Sequence, residues 1–339
     1  MIDFSETIAL QHIVNISGGK DSTACYLLAL QRGVPFRPVM ADTGNEHPIT
    51  IDYAERLAER TGGPHVEIYR ADFTDRMARK RKYIAKHWPE EGIPQELVDR
   101  ALAALQPTGI PFLDLCLWKG RFPSRKAQFC TEFLKSDVIG SQVIEPARRA
   151  GPVVQWLGVR RAESIARRNS PMWQVIRTPG LHAMRLYRPL IHWTAENVFS
   201  FAAAHGLDPN PLYLQGMGRV GCFPCINANK AEIRAIATRF PEAIEQIAEW
   251  EMICAKASKR GISTFFAADV TPEGARLAKR VSRIEDRKAR AAASAAAHWP
   301  NARQVAEWAR TDRGGKQFNW IIDQEDDGLS CSSQYGLCE

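Results

Sequence analysis

The densest chemistry in the chain lies in six consecutive residues, Ser17-Gly18-Gly19-Lys20-Asp21-Ser22. They follow the apolar, strand-like stretch 12–16 directly. Two glycines let backbone N–H groups approach an anion closely, and a helix opening near Ser22 would aim its positive end at that anion. Lys20 adds a mobile positive charge. The pattern is built to hold phosphate, although it is shorter than a Walker A loop. The plainer alternative for the same residues is a tight strand-to-helix turn with an N-cap.

Two other segments carry groups suited to the same ligand. In an open parallel sheet, ligands bind beyond the carboxyl ends of the strands, where strand order reverses. A strand over 36–41 ends at Asp42, whose carboxylate can bind a ribose or an adenine. A strand over 153–159 runs into Gly158-Val159-Arg160-Arg161, and a guanidinium grips phosphate oxygens in bidentate fashion. The three strand ends are therefore expected to line one crevice, with Ser17, Gly18, Gly19, Lys20, Asp21, Ser22, Asp42, Thr43, Gly44, Gly158 and Arg160 as nucleotide-binding residues. His47 and His182 are further polar residues for such a site, or ordinary structural histidines.

Eight cysteines supply a second kind of chemistry. Cys222 and Cys225 form a CxxC behind Gly221, and Cys130 stands in a separate segment. Thiolates from separated segments hold an iron–sulfur cluster or, in a four-cysteine site, zinc. A fourth ligand would come from Cys116, Cys331 or Cys338, or from no protein group. Unligated thiols are the remaining alternative. Cys25 and Cys254 sit in apolar helical patterns and read as core fillers.

The elements that must position these residues alternate. Strands over 12–16, 36–41 and 65–69 are separated by helices over 23–31 and 50–60, a βαβαβ order that implies a parallel sheet with helices on both faces. Helices over 72–86, 94–105 and 131–144 follow, and 111–125 reads as a loop. Past the strand 153–159 come helices over 195–204, 231–238, 241–259 and a basic, Ala-rich helix over 276–297. The 339 residues are 45% hydrophobic and 24% charged, the composition of a globular protein. No apolar run reaches the roughly 18 residues of a membrane span, and the N-terminus lacks the pattern of a signal peptide, so a cytoplasmic location is expected. The net charge of +7 suits an anionic partner, a nucleotide or a nucleic acid. Basic clusters fall at 76–82, at Arg160, Arg161, Arg167 and Arg168, and at 276–290.

The six-residue loop resembles the SGGxDS phosphate loop (PP-loop) of the ATP pyrophosphatases, which cleave ATP between its α and β phosphates. Asp42-Thr43-Gly44-Asn45-Glu46-His47-Pro48 resembles the DTGxxxP segment, and Gly158-Val159-Arg160-Arg161-Ala162-Glu163-Ser164 the GxRRxxS segment, of the phosphoadenosine phosphosulfate (PAPS) reductase family. Tyr187-Arg188-Pro189-Leu190, Trp193-Thr194, Asn210-Pro211-Leu212-Tyr213 and the CxxC follow in that family's order. The resemblance covers about residues 10–240. It implies a doubly wound parallel five-stranded sheet of the adenine nucleotide alpha hydrolase type, with a mainly helical C-terminal region. The expected division is a nucleotide-binding α/β domain over 1–220, a CxxC segment with its helices over 221–260, and a helical extension with a cysteine-bearing tail over 261–339.

Within that family the complete loop favours ATP chemistry, in the style of the DNA phosphorothioation sulfurtransferases and tRNA thiolation enzymes. The implied reaction is adenylation with pyrophosphate release, followed by iron–sulfur-dependent sulfur transfer to a nucleic acid. ATP, Mg²⁺ and a 4Fe–4S cluster, or zinc, would be the cofactors. Lys20, Asp21, Arg160 and Arg161 would act in catalysis, with Cys130, Cys222, Cys225 and Cys116 as metal ligands. The partners would be DNA or tRNA and a sulfur donor such as a cysteine desulfurase, with no membrane; a homo-oligomer fits the same reading. The second reading is a sulfonucleotide reductase, in which Cys338 on the tail attacks the sulfonate. The third is an ATP sulfurylase-like adenylyltransferase, and the fourth a non-enzymatic nucleotide- or DNA-binding component of a larger complex.

Overall fold

The computed structural model describes residues 10–267 and 269–313. The described chain divides into two compact units, one of residues 10–71 and 131–222 and the other of residues 72–130 and 223–313. The second unit thus draws on two separated stretches of sequence, whereas the expected division was sequential.

The first unit is built on strands β1 (Gln11–Ile16), β2 (Phe36–Asp42), β3 (Glu67–Arg70), β4 (Val153–Trp156), β5 (Trp173–Ile176) and β6 (Met184–Tyr187). They form one sheet in the order β3-β2-β1-β4-β6-β5. Five strands run parallel, as expected, and β5 adds an antiparallel edge by pairing with β6. The pair β5 and β6 was not legible because, unlike the equally short β4, neither strand lies in a longer apolar run. Strand order reverses between β1 and β4, which makes the end of β1 the switch point of the sheet.

Alternation along β1 explains the layering. Val14 and Ile16 join the cluster that includes Leu27, Tyr53 and Val198, whereas Ile13 joins Ile139, Val143 and Leu186. Period-two side chains send successive residues to opposite faces, so helices cover both. The first cluster is closed by helix α1 (Lys20–Gln31) and helix α2 (Pro48–Glu55). The second is closed by the helical segment 131–150, in which Glu132–Ser136 and Gly140–Ile144 are wound as π-helix. α1 begins three residues earlier than expected, so Lys20 opens the helix.

The second unit is helical, with Thr74–Glu90, Gln95–Ala104, Pro111–Lys119, Lys230–Arg239 and Pro241–Lys256 among its helices. Residues 111–125 were expected as a loop, yet Pro111–Lys119 is a helix. Proline opens it and Gly120, in the left-handed conformation, closes it. Seven of its nine residues are buried, and burial on every side erases the amphipathic period. The basic region 276–297 is two helices rather than one, Pro272–Ser282 and Arg287–Ala296, with Asp286 capping the second. Among the described residues no helix is long and apolar enough to cross a membrane.

Glu251 in this unit accepts the backbone N–H of Phe265 at 2.8 Å and of Ala302 at 2.9 Å. Burial pushes its carboxyl up to about 7, from an ordinary 4.5, although the two N–H donors oppose the shift. A carboxyl raised on folding stabilises most when protonated. That contribution is full below pH 4.5 and is lost as pH rises through about 7, in total on the order of 3 kcal/mol. Glu251→Gln is expected to flatten this part of the stability profile and to lower stability at pH 4.5, because an amide has one acceptor oxygen for two donors, with the deficit shrinking as pH rises through about 7. Urea unfolding at intervals from pH 4.5 to 8 checks both; parallel profiles for the two proteins would refute the assignment.

Candidate active site

The switch point is occupied by the glycine-rich turn between β1 and α1. The turn is tied to itself by its hydroxyls. Ser17 N–H donates to Ser22 Oγ at 3.1 Å, Gly19 N–H to Ser17 Oγ at 3.3 Å, and Ser22 Oγ–H to the Gly19 carbonyl at 3.0 Å. Gly18 has φ +76°, and a Cβ there would lie 2.5 Å from Thr50 Cγ2 and 2.9 Å from the Thr50 carbonyl oxygen. Asn210, buried, clamps the same turn by donating to the Gly18 carbonyl at 3.1 Å.

The end of β4 presses against this turn. A Cβ on Gly158 would meet Asp21 C at 2.8 Å and Ser22 N at 2.9 Å, both of them backbone atoms. Backbone cannot swing aside as a side-chain tip can, so an added methyl must displace the loop. Gly158→Ala is expected to lower stability by about 1–3 kcal/mol, the usual cost of overpacking. Thermal denaturation reads this, and an unchanged melting temperature would show that the loop can yield.

Behind the turn lies a chain of alternating charge. Arg160 Nε donates to Asp21 Oδ1 at 2.5 Å and its Nη2 to Oδ2 at 3.3 Å. Lys20 Nζ stands 3.2 Å from Asp21 Oδ2 and 5.6 Å from the centroid of the Tyr213 ring. The Tyr213 hydroxyl accepts the Lys20 N–H at 3.1 Å. Asp21 is fully buried, and the Arg160 side chain is 6% exposed. Arg160, which was expected to grip phosphate, pairs with Asp21 and braces the loop. Arg161 is exposed and donates to the Ser170 carbonyl at 3.2 Å.

The end of β2 contributes a second acidic group. Asp42 is buried, accepting the Gly44 N–H at 2.8 Å and the Arg70 Nε–H at 2.7 Å. Thr43 donates both its N–H and its hydroxyl to Glu46. Burial raises the Glu46 carboxyl, and the Lys135 ammonium opposes that rise. Lys135 is itself buried within the π-helical stretch. His47 caps α2, its Nδ1 accepting the Ile49 N–H at 3.2 Å. His182 is exposed, and its carbonyl accepts from Arg148 Nε.

Tyr213, Asn210, Arg70 and Lys135 were not singled out as site residues. For Asn210 a signal existed, since Asn before Pro marks a helix start, and Asn210 does cap Pro211–Leu214. The reach of the other three depends on tertiary packing.

The cysteines lie as follows. In the first unit, Cys222 is half-buried, with Sγ 3.8 Å from Glu46 Oε1. In the second, Cys130 and Cys225 are half-buried, and Cys225 Sγ accepts the Asn227 N–H at 3.5 Å. Cys116, expected as a fourth ligand, is fully buried in Pro111–Lys119, and burial pushes its thiol well above the ordinary value. Cys254 is buried as well, its thiol pushed up to about 12. Among the described residues no group of three or more His, Cys, Asp or Glu side chains is placed to hold a metal ion. Cys331 and Cys338 lie outside the described residues.

Sheet and site together define an open, doubly wound α/β protein with its candidate site at the strand ends. The chain matches the phosphoadenosine phosphosulfate reductase domain over residues 11–106 and 123–228, and it belongs to that family. It is 43% identical over 341 residues to a protein of Escherichia phage 186, described as "Uncharacterized 37.8 kDa protein in gpa 5'region", spanning 97% of this chain and 96% of that one. It is 24% identical over 215 residues to the adenosine 5'-phosphosulfate reductase of Mesorhizobium japonicum, spanning 62% of this chain and 64% of the reductase. A shorter match, 45% identical over 58 residues, falls in the enzyme of the same name from Deinococcus radiodurans and spans 17% of this chain and 23% of that enzyme. Among solved structures, the PAPS reductase of Candida auris in complex with phosphate is 14% identical, with a TM-score of 0.38, over 63% of this chain and 82% of that one. Family membership supports an enzyme with sulfonucleotide-related chemistry.

Proposed function

We propose that this chain binds ATP on the turn 17–22 and cleaves it between the α and β phosphates. The observation that carries the reading is the Arg160–Asp21–Lys20 chain of charges. Arg160 and Lys20 share the one Asp21 carboxylate, which leaves the three groups net positive beside the turn. A lysine at that place stabilises the charge that develops on a leaving pyrophosphate, and Mg²⁺ bound to the phosphates would share that load.

In the step proposed, an acceptor oxygen attacks the α-phosphorus. The bond from that phosphorus to the bridging oxygen breaks, and pyrophosphate leaves with the electron pair. A thiol reductant releases hydrosulfide from the persulfide of a donor such as a cysteine desulfurase, ending as a disulfide, and the hydrosulfide then attacks the adenylated carbon. The C–S bond forms, the C–O bond breaks and AMP departs with the oxygen. The net basic charge fits a nucleic-acid acceptor. An iron–sulfur cluster or zinc, as a source or holder of the sulfur, belongs to the same proposal. Iron, sulfide and zinc contents of anaerobically purified protein test it.

Sulfonucleotide reduction is the second reading, favoured by the reductases among the relatives. In that reading Arg160 and Arg161 would bind phosphate and sulfonate, but here the first is committed to Asp21 and the second donates to a backbone carbonyl. Two assays on the same preparation decide. Pyrophosphate release from ATP, with DNA or RNA present, is the expected result. Sulfite formation from a sulfonucleotide and a thiol reductant, without pyrophosphate release from ATP, would overturn the proposal in favour of the reductase.

A further inference from the structure

A cavity of about 570 Å³ lies wholly within the second unit, made of residues from 72–130 and 223–313. Five cationic side chains line it, Lys80, Lys119, Arg121, Lys259 and Arg260, and among the described residues no carboxylate does. Burial, and then the neighbouring Lys259 and Lys119 charges, pull the Lys80 ammonium below its ordinary value, with Glu91 opposing. Glu91 pairs with Lys259 and offsets part of that charge. Folding like charges onto one cavity costs free energy unless a ligand supplies the counter-charge.

The wall also carries aromatic surface. Trp88 is buried in it, with Lys259 Nζ 5.5 Å from its ring centroid. Trp299 is half-buried, its indole N–H donating to the Ser294 carbonyl at 2.8 Å. Ser294 lines the cavity from the helix Arg287–Ala296, which has no buried residue and carries Arg287, Lys288 and Arg290. The positive surface thus continues past the cavity along an exposed helix. A cavity within the range of about 300–1,000 Å³ admits one nucleotide, and the flanking cations suit the phosphates that follow it.

We propose that this cavity and its flanking helix bind a single-stranded nucleic acid, with one base against Trp299 and the phosphates among Lys119, Arg121 and Arg260. The proposal deepens the reading above by assigning the acceptor its own binding surface, and in its nucleic-acid partner it rests on that reading.

The test measures fluorescence anisotropy of labelled single-stranded DNA and RNA oligonucleotides without ATP, over a range of salt. Wild type is compared with Lys119→Glu/Arg121→Glu/Arg260→Glu, with Lys119→Gln and with Trp299→Ala. The triple variant is expected to bind at least about tenfold more weakly. Its salt dependence should fall by about 0.7 in slope for each phosphate that is no longer neutralised. Trp299→Ala is expected to weaken binding at every salt concentration with the slope unchanged, as removal of a stacking partner requires. The DNA and RNA arms identify the source of the strand. Thermal unfolding shows whether each variant is folded, and the single Lys119→Gln change serves if the triple variant is not. No binding by wild type, or equal binding by all folded variants, overturns the proposal. Pyrophosphate release is assayed in parallel, so oligonucleotide binding that maps to the cavity without ATP cleavage would refute the adenylation reading and leave this one standing.

Discussion

Asp21→Ala is expected to lower the unfolding free energy by about 3–5 kcal/mol, the usual cost of removing one partner from a buried ion pair. The magnitude follows from what is left behind. Asp21 has no exposed surface, and its carboxylate holds the Arg160 side chain, 6% exposed, and the Lys20 side chain, 13% exposed. Without it, two neighbouring buried cations lose the carboxylate they share. Asp21→Asn keeps the shape and one acceptor oxygen, so its destabilisation should fall between wild type and alanine. Replacing both partners, as in Asp21→Ala/Arg160→Met, should recover much of the stability, because a buried pair contributes little net compared with apolar side chains. Urea unfolding followed by tryptophan fluorescence measures all three. An Asp21→Ala protein within about 1 kcal/mol of wild type would mean that water reaches Arg160 and that the pair is not the brace of the loop.

Lys20→Ala is expected to lower kcat for pyrophosphate release by about 10²–10³, the range found when one donor to a developing anion is removed. The effect should fall on kcat more than on KM, since the charge that needs stabilising grows between ground and transition state. Stability should change far less than in Asp21→Ala, because Arg160 remains to neutralise Asp21 when Lys20 is gone. The contrast between the two variants separates chemistry from architecture at adjacent residues. Equal kcat in wild type and Lys20→Ala would remove the lysine from the reaction. Oligonucleotide binding at the second unit should be the same in both.

The β1 turn was legible because its signals are local. Two glycines after an apolar run, then residues with hydroxyl, ammonium and carboxylate groups, dictate a close-packed strand-to-helix turn whatever surrounds it. The parallel order of β1, β2 and β3 followed from the alternation of strands with helices. The strand β6 and the helix Pro111–Lys119 were not legible, the first because it is short and lies in no longer apolar run and the second because burial on all sides leaves no period.

Sequence alone determined the family, the switch-point turn and the meeting of Ser17, Asp42 and Gly158 at one end of a sheet, because each rests on chain-local patterning and on the handedness of βαβ crossovers. Tertiary structure alone decided what those groups do to one another. It paired Arg160 with Asp21, set the Tyr213 hydroxyl on the Lys20 amide, and buried Cys116. It also joined 72–130 to 223–313 around a basic cavity. These partners are separated by up to about 190 residues, and no local pattern specifies which distant side chain will share a buried charge.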